Sequence, residues 1–315
     1  MNLFWAEVHR FRCRRFLLAL ALTATAVFAL GVAVAAAQHH KTSAADRAVA
    51  QAQLEVARSE GELARQQCVA AQPPGTPLEQ ACPPNRFLQG DFNPGRPFVL
   101  AQQLPDGTVG VGGLAAAALF LLGATWIGAE WSTRSLVALL FWEPRRVKVL
   151  LVKLGVLLAA AAALAVVVQA AWFGSAQLLA STRGTRDNLP AQFYGDVFWA
   201  ESRAVLFGVL LAGLGFALAN LLRNTGAALG VAALYLAVFE TAVRVLHPPW
   251  AEWLFTVNAS ALLSRTPIHL YVGGRNDQQS REIVLGHLHG GLYLVALVAG
   301  LLTLGGVLFA RRDLQ

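Results

Sequence analysis

Residues 203–246 read RAVLFGVLLAGLGFALANLL, then RN, then TGAALGVAALYLAVFETAVRVL. Two apolar runs, 203–222 and 225–246, are thus separated only by Arg223 and Asn224. A helix rises 1.5 Å per residue, so about 20 apolar residues cross a hydrocarbon core of about 30 Å. Backbone polar groups in lipid must bond within their own segment, so the runs are helical, and the two-residue join makes them a tight hairpin. A soluble amphipathic helix would show a polar face, and these runs do not.

Working outward, further apolar runs cover 16–37, 111–129, 151–173 and 288–310. The expected fold is an all-α polytopic membrane protein with six transmembrane helices. Composition agrees: 56% of the 315 residues are hydrophobic, only 14% are charged, and mean hydropathy is +0.51. A soluble domain carries about a quarter charged residues. The first run follows Arg10, Arg12, Arg14 and Arg15, the layout of a signal peptide. Its 22 residues exceed a typical h-region of about 7–15, which favours a retained helix.

The net charge of +7 does not point to nucleic acid, because the cations gather beside the apolar runs. With the N-terminus cytoplasmic, the inner pieces (1–15, 130–150, 223–224, 311–315, plus Lys153) hold 12 Lys and Arg in under 50 residues. The outer pieces (38–110, 181–202, 247–287) hold 11 in more than 130. The positive-inside rule then places both termini in the cytoplasm. Arg outnumbers Lys 22 to 3, with abundant Ala and Gly, a composition of high-GC bacterial chains and hence of a bacterial cell membrane.

The N-terminal 1–15 places Phe4, Val8 and Phe11 at i, i+4, i+7, with Glu7, Arg10 and Arg14 to one side. Such a helix lies in the membrane interface with its cations toward lipid head groups; a disordered basic tail is the other reading. The outer segment 38–110 begins with a helix-prone stretch at 42–67, in which Val49, Val56 and Leu63 recur every seven residues. It reads as a solvated continuation of the first transmembrane helix or as a weak coiled-coil seam. Eight of thirteen prolines fall in 69–110, which predicts an irregular loop. Cys68 and Cys82 lie on this oxidising side and are expected to pair, closing a loop of about 15 residues; Cys13 lies inside and stays reduced. Residues 247–287 are apolar but interrupted, fitting short helices that re-enter the outer leaflet.

Within the spans, Glu240 and Arg244 sit at i, i+4. An interfacial ion pair and a gate or substrate contact are both open readings. No Cys or His spacing suggests a metal site. No Gly-x-x-x-x-Gly-Lys-Ser/Thr loop exists, since the only Lys followed by Ser or Thr is Lys41-Thr42. The chain is therefore not expected to hydrolyse ATP, nor to need a cofactor itself.

Residues 128–153 contain Gly128, Glu130, Trp131, a short Leu136, Leu139, Leu140 stripe, Pro144, then Arg145, Arg146, Lys148 and Lys153. Pro144 disfavours helix at Glu143 and turns the chain. This pattern resembles the ABC-2 family of ABC-transporter permeases: Gly-x-Glu, a short helix with Leu-Leu, Pro-x-Arg, and Lys opening the third span. One departure stands at Arg134-Ser135, where the family commonly has Gly-Thr. The resemblance implies that Glu130 to Phe141 is a coupling helix, with Glu130, Trp131, Arg134, Leu136, Leu139, Leu140, Arg145 and Arg146 contacting a separate ATPase. It also implies a permease subunit of an exporter, working as a dimer with a second copy or a similar permease. Two ATPase copies, carrying ATP and Mg, would drive it. The runner-up is a mechanical transmitter or scaffold acting on an extracytoplasmic partner through 38–110.

Overall fold

The structure, a computed structural model, describes residues 3–13, 15–73, 81–84, 87, 92, 97–186, 189–272 and 281–311. Arg14 and much of the Pro-rich segment therefore lie outside the described residues. The helices are α1 (Leu3–Arg12), α2 (Arg15–Gln38), α3 (Ala44–Ala71), α4 (Leu100–Ser132), α5 (Ser135–Trp142), α6 (Arg146–Arg183), α7 (Phe193–Leu222), α8 (Thr225–Leu246), α9 (Phe255–Leu263) and α10 (His287–Arg311). Six of them, α2, α4, α6, α7, α8 and α10, are long and apolar enough to cross a bilayer. The fold is all-α and polytopic, with two small two-stranded sheets added: β1 (Phe98–Val99) pairs in parallel with β2 (Gly184–Thr185), and β3 (Ile268–Val272) pairs antiparallel with β4 (Arg281–Leu285).

The chain divides into two compact units. The first comprises Met1–Ala29, Gln102–Ser175 and Leu189–Gln315. Its core is Leu122, Trp126, Ile127, Leu136, Leu157, Phe216 and Phe309, all nearly inaccessible. Lipid is as apolar as leucine, so helices in a bilayer associate by close packing of small residues. The crossing of α4 and α7 shows this. A Cβ on Gly123 would lie 2.0 Å from the Ala212 carbonyl oxygen, and one on Gly215 would lie 2.2 Å from that of Phe120. The turn from α7 to α8 is as tight as expected, with Arg223 left-handed at φ 54° and the Asn224 side chain capping α8 by accepting from the Ala227 N–H.

Several sequence expectations change here. α4 begins at Leu100, so residues 100–110 are helical despite Pro105, two Gln and two Gly. Tertiary contacts hold them: Trp172 of α6 donates to the Leu104 carbonyl at 3.0 Å, and its ring packs where a Gly107 side chain would stand. α6 likewise runs on to Arg183, and α7 begins ten residues before 203. Segment 247–287 holds a 3-10 helix (Pro248–Trp253), α9 and the β3–β4 hairpin. The hairpin was not anticipated.

The second unit comprises Leu30–Ala101 and Ala176–Asn188. α3 does not continue α2. The chain breaks at 39–43 and restarts under a capping box, in which the Ser43 hydroxyl accepts from the Asp46 N–H and the Asp46 carboxylate accepts from the Ser43 N–H. That backbone hydrogen bond holds the Asp46 carboxyl below its ordinary range. The inward residues of α3 are Ala50, Leu54 and Gly61, whereas Val49, Val56 and Leu63 face outward. Cys68 and Cys82 form the disulfide, with Cα atoms 6.0 Å apart, and Cys13 is free and exposed.

Candidate functional site

The segment that joins α4 to α6 lies at one end of the first unit, and its geometry begins with a buried cation. Lys153 enters on the second turn of α6, where its side chain is fully inaccessible. An unpaired buried ammonium costs several kcal/mol, so partners must surround it. Its Nζ lies 2.6 Å from Glu7 Oε2 on α1 and 2.8 Å from Glu130 Oε2 on α4. Both carboxylates are nearly inaccessible as well. The ammonium also stands 5.4 Å from the Trp126 ring centre, and Phe11 packs edge-on to the same ring.

This triad revises two expectations. Glu130 is not an exposed member of a coupling helix: it lies in the last turn of α4 and faces inward. Glu7 is not on a solvated side of α1. The inward face of α1 is Glu7 with Phe11, while Phe4 is exposed, Val8 is half-buried and Arg10 bonds to the outer Glu7 oxygen at 3.3 Å. The buried charge of Lys153 decides the face, and apolar spacing alone did not reveal it.

The chain then turns through Arg134, a left-handed residue at φ 56°, into α5. Trp131 is inward too. Its Nε1 donates to Asn220 at 3.3 Å, Arg223 lies 5.0 Å over its ring, and Phe309 packs edge-on. Of the α5 stripe, Leu136 is fully buried in the core, and Leu139 and Leu140 pack partly buried against it. These three leucines anchor α5 to the bundle, and the face they leave outward is different. Phe141 is 85% exposed and Trp142 is 90% exposed. Arg134 and Arg145 are also exposed, and Arg146 is half-buried at the start of α6. Glu143 accepts from Lys148 at 3.0 Å, with Arg145 at 4.0 Å, and the Lys148 bond holds its carboxyl below the ordinary range.

Sequence reasoning located this segment but not its outward surface. Phe141 and Trp142 were legible as an aromatic pair before Pro144, yet periodicity could not tell which flank of so short a helix packs inward. At the opposite end of the unit, Glu240 and Arg244 do pair, at 3.5 Å, and both bond the Thr256 hydroxyl. Among the described residues no group of three His, Cys, Asp or Glu could hold a metal ion.

The chain matches the family described as ABC-2 family transporter protein over residues 1–314. No curated protein and no solved structure matches it. A short helix anchored by leucines and showing aromatics, carried on a six-span apolar bundle, is consistent with that assignment. The chain belongs to the ABC-2 family, and is a multi-pass transmembrane permease component of an ABC transporter.

Proposed function

We propose that this chain is the permease half of a bacterial exporter, with both termini cytoplasmic, paired with a second copy or a similar permease. Two separate ATPase subunits, which bind the ATP and Mg, drive it. The carrying observation is α5: its leucines are spent on the bundle, and Phe141 and Trp142 stand outside it beside Arg134 and Arg145. Rigid anchoring on one face with exposed aromatics on the other suits an element that must transmit force from a partner groove. Each aromatic offers roughly 1.5–3 kcal/mol if fully buried by that partner.

The runner-up, a mechanical transmitter, draws support from the second unit, which has its own disulfide and capped helix.

The test is co-purification of the affinity-tagged chain, with the partner identified by a peptide carrying a phosphate-binding loop. Phe141→Asp with Trp142→Asp should abolish recovery of that ATPase while membrane insertion is kept. Undiminished recovery would overturn the docking role. Deleting 45–95, which spares β1 and the start of α4, then separates the two functions: an exporter keeps substrate-stimulated ATPase activity in the complex, and a transmitter loses its output.

A further inference from the structure

Only 11% of the α8 span is buried, the least of any span except α2. In its middle, Tyr235–Phe239 is a single π-helical turn. Such turns are rare and are frequently found at functional sites. Here the turn borders a cavity of about 870 Å³ among α4, α7, α8, α10 and the 3-10 helix. That is the size of a site for a whole small molecule, about 300–1,000 Å³. Its walls are aliphatic and aromatic, with Phe120, Leu214, Leu218, Tyr235, Phe239 and Leu297 among them. Trp250 and Trp253 line its end near the hairpin.

The polar groups at that end are disposed in one sense. Glu240 is buried, and its oxygens accept from the Thr256 N–H, the Thr256 hydroxyl and Arg244. The Tyr235 hydroxyl accepts from the Phe255 N–H at 3.4 Å, and Tyr293 donates to the Trp253 carbonyl at 2.6 Å. The carboxylate is thus saturated. Arg244 is not: its side chain is half-exposed, and its bonds to Glu240 and Thr256 both use Nη2. A guanidinium has five N–H donors, and among the described residues Nε and Nη1 are not used, so they can serve an anion.

We propose that this cavity is a lipid site: it holds a hydrocarbon chain of an anionic membrane lipid, whose phosphate lies on Arg244. The apolar walls take the chain, Trp250 and Trp253 suit the interface between chain and headgroup, and Arg244 supplies the complementary charge. The lipid fills the gap that leaves α8 so lightly packed, and the π-turn shapes the wall it lies on. This goes beyond the permease reading and does not depend on what is transported.

The test uses the full chain in phosphatidylcholine vesicles doped with a phosphatidylglycerol that carries a diazirine on one acyl chain. After irradiation, adducts are mapped by mass spectrometry. Helix α2, none of whose span is buried, reports ordinary bilayer contact. Labelling should concentrate on 231–243 and 250–255 above the α2 level. Unlabelled phosphatidylglycerol should displace it better than the same amount of phosphatidylcholine. Losing a charge-assisted hydrogen bond weakens binding by about tenfold, so Arg244→Gln should lower cavity labelling by about that factor and leave α2 labelling unchanged. Ala232→Phe, which narrows the cavity without touching the charge, should lower it as well. Cavity labelling no denser than on α2, equal displacement by the two lipids, or wild-type labelling in both variants would each overturn the proposal.

Discussion

The Nζ of Lys153 lies 2.6 Å from Glu7 Oε2 although 146 residues separate them in sequence. With Glu130 on its other side, this ammonium ties the interfacial helix α1 to the two helices that flank α5.

The triad carries two carboxylates and one cation, so its members are not equivalent. Lys153→Met removes the buried ammonium that Glu7 and Glu130 share and should cost about 3–5 kcal/mol, seen as a large fall in thermal stability of the purified protein. Glu7→Gln leaves a balanced pair with Glu130. It should be milder for the bundle while loosening α1, detected as faster proteolysis near Arg10–Arg12. A Lys153→Met protein as stable as wild type would show that the triad does not hold the site.

The spans were legible because lipid imposes a one-dimensional rule: twenty apolar residues, wherever they occur, read as a crossing. The Cys68–Cys82 pair was legible because the positive-inside count puts both cysteines on the side expected to be oxidising. What stayed hidden depends on contacts distant in sequence. Residues 100–110 look like a loop until Trp172 packs on Gly107. Glu7 and Glu130 look solvated until Lys153 is placed between them. The family pattern located α5, but only packing shows that its leucines face in and its aromatics out.

That reversal has a direct consequence. Leu136 is 1% exposed and Trp142 is 90% exposed, six residues apart on one short helix. Leu136→Asp buries an uncompensated charge in the main core and should cost several kcal/mol, enough to prevent recovery of folded protein. Trp142→Asp should change stability by no more than about 0.5 kcal/mol, since its side chain stands exposed. Thermal melts of the two variants check this; similar losses in both would mean that α5 packs differently.

The disulfide should act on the second unit alone. It closes a separation of 14 residues, for which the chain-entropy model gives about 3 kcal/mol. Maleimide should label Cys13 in the unreduced, solubilised protein and should label Cys68 and Cys82 only after reduction. Cys68→Ser with Cys82→Ser should speed proteolysis of α3 without altering the six-span bundle. Labelling of Cys68 before reduction would contradict the bond.

Glu143 gives the turn from α5 to α6 an acid dependence. The Lys148 hydrogen bond, aided by Arg145, favours its ionised form and lowers its pKa below the ordinary 4.5. A lowered carboxyl pKa means the folded turn binds its proton less readily than the unfolded chain does. The stabilisation is complete above 4.5 and is lost as pH falls through the lower folded value. Hydrogen-exchange protection factors at Arg146 and Val149, with the intrinsic pH dependence of exchange divided out, should fall at acid pH in the wild type. In Glu143→Gln the protection factors should be the same at both ends of the range. Equal pH dependence in the two proteins would remove Glu143 from the account.

Arg134 stands where the family commonly has glycine, and the backbone explains the preference. At φ 56° and ψ 12° the residue is left-handed, a conformation that brings an L residue's Cβ too close to the following carbonyl oxygen and costs roughly 1–2 kcal/mol. The turn needs that conformation because it reverses the chain within two residues, from Ser132 ending α4 to Ser135 opening α5. The side chain is exposed, so removing it leaves no cavity. Arg134→Gly should therefore raise stability by about 1 kcal/mol, part of the relief being offset by the greater freedom of glycine in the unfolded chain. Arg134→Ala serves as the control, since it removes the cation but keeps a Cβ in the left-handed position. Its stability should match wild type. The two variants also separate backbone from charge at the proposed docking surface: if the cation contributes there, both lose binding of the proposed ATPase to the same extent, although only the glycine variant melts higher. A glycine variant that melts below the alanine variant would show that Arg134 is not held left-handed in the folded protein.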